Sequence, residues 1–122
     1  MLVDTSVWID HFRSANALLH QRLAADQVWT HPYIVGELAC GNLSPRRATL
    51  AQLATLRHAR VVEHEDVLHF VAEHRLHGTG LGWVDVNLLA SARVAQLPLW
   101  ALDRRLAAAA RRLGLETPSP LH

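Results

Sequence analysis

The sequence predicts an α/β domain built on a short, mostly parallel central sheet. Brief apolar segments at 2–3, 27–29, 60–62 and 98–102 have the length and composition of buried strands. Longer segments with apolar residues at helical spacing separate them, and this alternation is typical of parallel sheets covered by helices. A chain of 122 residues suits one hydrophobic core. We therefore expect a single domain over 1–122.

The helices are expected between residues that commonly start and stop them. Ser6 is placed to cap a helix over 7–13, Asn16 begins a second, and Pro32 suits the first turn of a third that Gly41 ends. Further helices are expected after Ser44-Pro45, from Glu65-Asp66 to Gly78, over 84–95, and from Asp103 to Gly114.

The charged residues exclude several kinds of chemistry. All 12 basic residues are arginines, so the lysine needed for a Walker-type phosphate loop or a Schiff base is absent. The net charge of +1 is far from that of a protein that coats nucleic acid. Any contact with nucleic acid must therefore be local and helped by a cation.

The sequence also predicts a cytoplasmic location. Cys40 is the single cysteine, which prevents an internal disulfide and suits a reducing compartment. Asp4 interrupts the segment where a secretory leader would be apolar. No apolar run approaches the roughly 20 residues that cross a bilayer, so we expect no contact with membranes.

Two acidic residues lie on predicted helix faces that are otherwise apolar. Asp85 has apolar residues three, four and seven positions further along its helix, and Glu37 is flanked at helical spacing by apolar and aromatic residues. Both carboxylates are therefore expected on faces that turn inward. A buried carboxylate without a partner is costly, and such groups are usually paired or bound to a metal.

Two further acids, Asp4 and Asp103, directly follow apolar strand segments. Because parallel strands end at one edge of the sheet, these side chains are expected to converge there. Like charges about 4 Å apart repel by about 4 kcal/mol at an effective dielectric constant of about 20. Shared protons, an arginine or a divalent cation would relieve this repulsion. A pocket of oxygen ligands alone suits Mg²⁺ or Mn²⁺.

Each acid also has a purely structural interpretation. Asp4 and Asp103 are placed to cap the helices that follow them. Asp85, in the first turn of its helix, would interact favourably with the positive end of the helix dipole. Glu37 is open to pairing with an arginine. Four such acids together, with two on apolar helix faces, favour a functional site.

The segments around the four acids resemble PIN-domain proteins, especially VapC-type toxins of bacterial toxin–antitoxin pairs. The opening MLVDTSVWID resembles the start of these proteins, and 32–41 with Glu37 resembles their second acidic motif. The segment GLGWVDVNLLASA with Asp85 resembles the third, and LWALDRRL with Asp103 the fourth. The motifs stand in the family's order along nearly the whole chain.

This resemblance implies an α/β/α sandwich and a Mg²⁺- or Mn²⁺-dependent ribonuclease that forms homodimers and is inhibited by a cognate VapB-like antitoxin. It carries over Asp4, Glu37, Asp85 and Asp103 as the catalytic acids. Metal-assisted hydrolysis of RNA would use Asp4, Asp85 and Asp103 as metal ligands. Ser6 matches a supporting hydroxyl position. Ala101 departs from the family, because many relatives have Thr or Ser there, and this puts the metal role of Asp103 in doubt.

Two other features have both a functional and a structural interpretation. Four arginines within a third of the last helix's circumference form either a solvated face or a strip that binds RNA phosphates. They are Arg104, Arg105, Arg111 and Arg112. Trp83 either stacks on a base of the nucleic acid or packs in the core.

Two alternative functions remain at this stage. One is a PIN-like module that binds other proteins without catalysis. The other is a small metal-dependent phosphatase-like hydrolase, although Asp4-Thr5-Ser6 lacks the second aspartate expected of an aspartyl-phosphate enzyme.

Overall fold

The computed structural model describes residues 1–117, and a four-stranded parallel sheet forms its centre. Strand β1 (Leu2–Val3) lies between β2 (Trp29–Thr30) and β4 (Leu99–Trp100), and β3 (Arg57–His58) pairs with β2. The order is β3-β2-β1-β4, and every pairing is parallel. The predicted α/β class and parallel sheet are confirmed.

Helices connect and cover these short strands. Over the described part of the chain they are α1 (Thr5–Ser14), α2 (Ala17–Ala24), α3 (Pro32–Ala39), α4 (Arg46–Thr55), α5 (His64–Glu73), α6 (Trp83–Ala95) and α7 (Arg104–Arg112). Within residues 1–117, no helix is long and apolar enough to cross a membrane.

The core forms around β1 and α6. Leu2 and Val3 are completely buried, as expected of a central strand covered on both faces. Seven consecutive residues of α6, 86–92, are buried as well. A helix that is apolar on all sides is stable only when surrounded by protein, so α6 has a fixed position and its first turn lies at a defined edge of the sheet.

The first helix begins earlier than predicted, and its cap is a different residue. Helix α1 starts at Thr5, and Asp4 is the N-cap because its carboxylate accepts the backbone N–H of Ser6. The expectation that Ser6 caps this helix was wrong. An aspartate at the end of the strand satisfies the first free N–H groups two residues sooner.

The third strand was predicted three residues too late. Strand β3 is Arg57–His58 rather than 60–62, and both of its side chains are exposed. An edge strand is held by its backbone, and its side chains need not be apolar. The search for apolar runs therefore selected Val61 and Val62, which follow the strand.

Candidate active site

The predicted convergence of Asp4 and Asp103 follows from the pairing of β1 with β4. The backbone N–H of Asp4 donates to the carbonyl oxygen of Trp100 at 2.9 Å, which aligns the ends of the two strands. Asp4 caps α1, and Asp103 caps α7 by accepting the N–H of Leu106 at 3.0 Å. Both acids therefore lie at the carboxyl edge of the sheet, at the start of a helix.

Asp4 is the most buried of the four predicted acids, with 6% of its surface exposed. Its Oδ2 accepts the backbone N–H of Ser6 at 3.0 Å and the Ser6 hydroxyl at 2.6 Å. Among residues 1–117, no hydrogen-bond donor contacts its Oδ1. One oxygen is thus fixed by Ser6, while the other remains available to a ligand.

The Ser6 hydroxyl also connects the first acidic segment to the fourth. Its oxygen accepts the backbone N–H of Leu102 at 2.9 Å and that of Asp103 at 3.3 Å. Ser6 therefore positions Asp4 through its proton and the Asp103 segment through its lone pairs. This linkage supports the predicted supporting role of Ser6.

Asp85 lies in the first turn of α6, half-buried and facing the same edge. Its Oδ2 accepts the N–H of Gly82 at 2.9 Å. Burial raises the pKa of Asp85; the bond from Gly82 opposes this, and the charges of Asp4 and Asp103 raise the pKa further. Asp85 is therefore close enough to Asp4 and to Asp103 to be repelled by their charges.

Glu37 is brought to the site by helix α3, and the prediction that it is buried was wrong. Its side chain is exposed, and Oε1 accepts the Thr5 hydroxyl at 2.7 Å. The buried residues of α3 are Ile34 and Leu38, so Glu37 lies at the border of the apolar face. Thr5 is next to Asp4 in the chain and brings Glu37 to the acidic edge.

Among residues 1–117, no basic side chain forms an ion pair with the four acids. The ion pairs among the described residues join Arg57 to Asp26 and Arg111 to Glu116, away from the four acids. Within the described residues, Glu37 is therefore not paired with an arginine. Uncompensated carboxylate oxygens are the ligands preferred by hard divalent cations, so the donor chemistry fits such an ion.

The acids are not arranged as a finished ligand set. In the part of the chain that the structure describes, no three His, Cys, Asp or Glu side chains are grouped to hold one metal ion. Asp85 and Asp103 each use one oxygen to accept a backbone N–H. Their second oxygens contact no donor among residues 1–117, so a cation would have to draw these oxygens toward Asp4.

Two of the four arginines on α7 bond to other groups of the protein, and a third packs against a glycine. Arg111 pairs with Glu116 at 2.6 Å, and Arg112 donates to the carbonyl oxygen of His74 at 2.7 Å. Arg105 lies against Gly80, where an added Cβ would come within 2.6 Å of its Nη1. The four arginines therefore do not form one free strip, and their contact with RNA stays a prediction.

Sequence reasoning overlooked His31 and left Trp83 undecided. His31 caps α3 and is completely buried, although a histidine before a proline gave no such signal. Trp83 is 42% exposed, which excludes the interpretation as a core residue. Its position at the start of α6, two residues before Asp85, was the available clue.

The fold is thus an α/β domain with a parallel sheet and acidic residues at the carboxyl edge of that sheet. Comparison with known proteins assigns its family. The family model "PIN domain" matches residues 1–112, and the chain belongs to this family. It is 47% identical over 116 residues to Ribonuclease VapC32 of Mycobacterium tuberculosis, in strains CDC 1551 and H37Rv, with 94% of both chains covered.

One solved structure supports the same fold. The crystal structure of PAE2754 from Pyrobaculum aerophilum matches with a TM-score of 0.63, covering 88% of this chain and 82% of that one. The two sequences are 17% identical, so this similarity concerns the fold alone. The α/β/α architecture expected from the sequence is thus confirmed.

Proposed function

We propose that this protein is a divalent-metal-dependent endoribonuclease of the VapC type, the toxin of a bacterial toxin–antitoxin pair. PIN-domain membership and the 47% identity to a protein named Ribonuclease VapC32 support this proposal. The observation that carries it is the placement of Asp4, Asp85 and Asp103 at helix starts along one edge of the sheet, without an ion-pair partner for any of them among residues 1–117.

Asp4, Asp85 and Asp103 would hold Mg²⁺ or Mn²⁺ through their carboxylate oxygens. When bound, such an ion supplies an acidified water and neutralises charge on the scissile phosphate. Ser6 holds Asp4 Oδ2, and Oδ1 has no donor among residues 1–117. The exposed Glu37 carboxylate, fixed by Thr5, is placed to orient the attacking water and accept its proton.

The surface beside Glu37 suits the partners that this function implies. Ile9 and Phe12 of α1 are 40% and 43% exposed, and they line a cavity of about 350 Å³ that also reaches Thr5 and Glu37. An apolar segment of a VapB-like antitoxin bound there would obstruct the acidic edge. A homodimer is part of the same proposal, and co-purification and sedimentation analysis test both partners.

A non-catalytic interaction module is the second candidate, and one observation favours it. Asp4, Asp85 and Asp103 all accept backbone N–H groups near helix starts, as purely structural residues would. In that case the acids would stabilise helices and no cation would be required.

An RNA cleavage assay separates these two functions. The wild type is incubated with single-stranded RNA in Mg²⁺, in Mn²⁺ and in chelator, beside Asp4→Asn and Asp85→Asn. We expect cleavage only with the cation, and losses of about 10³-fold or more in both variants, because each removes a ligand charge. Asp26→Asn is the matched control, because Asp26 is exposed and paired with Arg57.

The possible outcomes are distinct. Full activity in chelator would contradict the metal dependence. If the wild type cleaves no RNA with either cation while remaining folded, the interaction module is the better description.

A further inference from the structure

A second recess lies beside the acidic edge, and we call it the Trp83 cleft. Its volume is about 220 Å³, and it is lined by Tyr33, Val61, Val62, Glu63, His64, Trp83 and Asn87. This is smaller than the roughly 300–1,000 Å³ of sites that bind drug-sized molecules. The cleft therefore suits one flat ring group better than an extended peptide.

Trp83 gives the cleft an exposed aromatic wall. Its side chain is 42% exposed, although 86–92 of the same helix are buried. The His64 ring lies 4.9 Å from the indole, centroid to centroid, at an interplanar angle of 50°. The buried Asn87 donates to the carbonyl oxygen of Trp83 at 2.9 Å and fixes the backbone that carries the indole.

The two helices α3 and α6 carry both the cleft and two of the acids. Trp83 is the first residue of α6 and Asp85 the third. Tyr33 and Glu37 lie one turn apart on one face of α3. A nucleic-acid strand whose phosphate reaches Asp85 and Glu37 therefore lies against the same two helices that form the cleft.

The charge of the lining favours an uncharged ring. The lining contains no arginine, and its one acidic residue, Glu63, repels phosphate. The backbone of a nucleic acid is thus disfavoured inside the cleft, whereas a base has an aromatic face for Trp83. Bases are free to enter such clefts only where the RNA is unpaired.

We propose that the Trp83 cleft binds one unpaired nucleobase of the RNA substrate, stacked on the indole, next to the scissile phosphate. The inference rests on the proposed ribonuclease function and names a feature of its substrate. It makes Trp83 a substrate-binding residue, while the four acids remain the catalytic set.

The first test compares steady-state cleavage of a single-stranded viral genomic RNA by the wild type and two variants. Trp83→Ala should lower kcat/KM by roughly 10- to 100-fold, mainly through KM, because base–aromatic stacking has about this strength. Trp83→Phe should recover most of the loss, since it keeps an aromatic face. Val94→Ala is the matched control, because Val94 is 60% exposed on the same helix and lies outside the cleft.

The second test detects binding without cleavage. In chelator, a pool of random single-stranded oligoribonucleotides should quench the tryptophan fluorescence of the wild type. Trp83→Phe should remove most of this quenching, because the other three tryptophans, at positions 8, 29 and 100, lie outside the cleft. His64→Ala is a second cleft variant that leaves Trp83 in place and should weaken quenching severalfold.

The outcomes separate this inference from the proposed function. If the wild type cleaves RNA and Trp83→Ala retains its kcat/KM, the base-binding cleft is wrong while the ribonuclease stands. Quenching that persists in Trp83→Phe would overturn the inference as well. So would the finding that substitutions in the cleft weaken binding of a protein partner and leave RNA binding unchanged. If the wild type neither cleaves nor binds RNA, the proposed function itself fails. An unchanged Mn²⁺-induced shift of Tm in Trp83→Ala would show that its acidic site is intact.

Discussion

The Ser6 hydroxyl donates a hydrogen bond of 2.6 Å to Asp4 Oδ2, and this bond fixes the most buried acid of the candidate site. The same oxygen accepts backbone N–H groups of the segment leading to Asp103. Two acids that are 99 positions apart in the sequence are thus positioned by one hydroxyl. Groups that orient metal ligands typically change affinity or activity by about 10- to 100-fold when they are removed.

Ser6→Ala should therefore weaken both catalysis and the fold. We expect RNA cleavage to fall about 10- to 100-fold, with a higher Mn²⁺ concentration at half-maximal rate. The free energy of unfolding should fall by about 2–4 kcal/mol, because three hydrogen bonds are lost and one of them is made to a carboxylate. Ser6→Thr keeps the hydroxyl and should restore most of the activity, and Ser14→Ala is a control at an exposed position. Wild-type cleavage in Ser6→Ala would contradict the positioning role.

The hydrogen bond between Thr5 and Glu37 predicts that substitutions of these two residues have non-additive effects on kcat. Glu37→Gln should lower kcat by about 10²- to 10⁴-fold, the usual range for a general base. Thr5→Val removes the 2.7 Å bond at nearly constant volume and should lower kcat about tenfold. In the Glu37→Gln background, Thr5→Val should have almost no further effect, because residues that act together are not additive. Independent losses in the double variant would show that Thr5 acts without Glu37.

The charges of Asp4 and Asp103 disfavour the charged form of Asp85, so a bound cation and the neutralisation of Asp85 should each stabilise the protein. Mn²⁺ at about 100 times its dissociation constant should stabilise the wild type by about 2.7 kcal/mol. Without the cation, Asp85→Asn should raise Tm by about 1–3 °C, because it removes a half-buried charge and still accepts the N–H of Gly82. The gain is small because solvent screens the exposed half of the side chain.

Thermal unfolding with and without Mn²⁺ measures both effects. Asp85→Asn should also show a smaller Mn²⁺-induced rise in Tm than the wild type. Glu73→Gln, on the exposed end of α5, should behave as the wild type does. A strong destabilisation of the apo protein by Asp85→Asn would indicate that this carboxylate serves chiefly as a helix cap.

Local patterns in the sequence were sufficient to predict most of the helices and strands. The start of α3 at Pro32, the caps at Asn16 and Asp103, and the apolar α6 all depend on neighbours within one helical turn. The meeting of Asp4 with Asp103 followed from a general rule for parallel strands, without knowledge of side-chain contacts.

The failures concern features that depend on distant residues. Whether Glu37 is buried depends on how α3 lies against α1, and its partner Thr5 is 32 positions away. The exposed strand β3 is defined by backbone pairing with β2, which no apolar pattern marks. The Trp83 cleft combines residues of α3, α5 and α6, so the sequence indicated the tryptophan but not its surroundings.

His31 holds three parts of the fold together in its neutral form. Its Nδ1 accepts the N–H of Tyr33 at 3.0 Å, and its Nε2 lies 3.1 Å from the Ser91 hydroxyl. That hydroxyl donates to the carbonyl oxygen of Arg60 at 2.8 Å, so Nε2 carries the proton and donates to Ser91. A second proton on Nδ1 would break the bond that caps α3.

The pKa of His31 therefore predicts a loss of stability in mild acid. Burial, with a smaller contribution from His58, lowers this pKa from 6.5 to about 4. Between these values the unfolded chain binds the proton and the folded protein does not, so stability is complete above pH 6.5 and falls as the pH decreases toward 4. At pH 5 the loss from this residue alone should be about 2 kcal/mol.

Urea unfolding of the wild type and His31→Asn between pH 7.5 and pH 4 isolates this effect, since the other titrating groups are common to both proteins. Asparagine keeps an acceptor for the N–H of Tyr33 and does not titrate. The variant should be less stable at pH 7.5, because it loses the bond to Ser91, but its stability should fall less steeply below pH 6.5. The two curves should approach each other by about 2 kcal/mol at pH 5. Parallel curves would show that His31 is protonated in the folded protein and that another group causes the acid sensitivity.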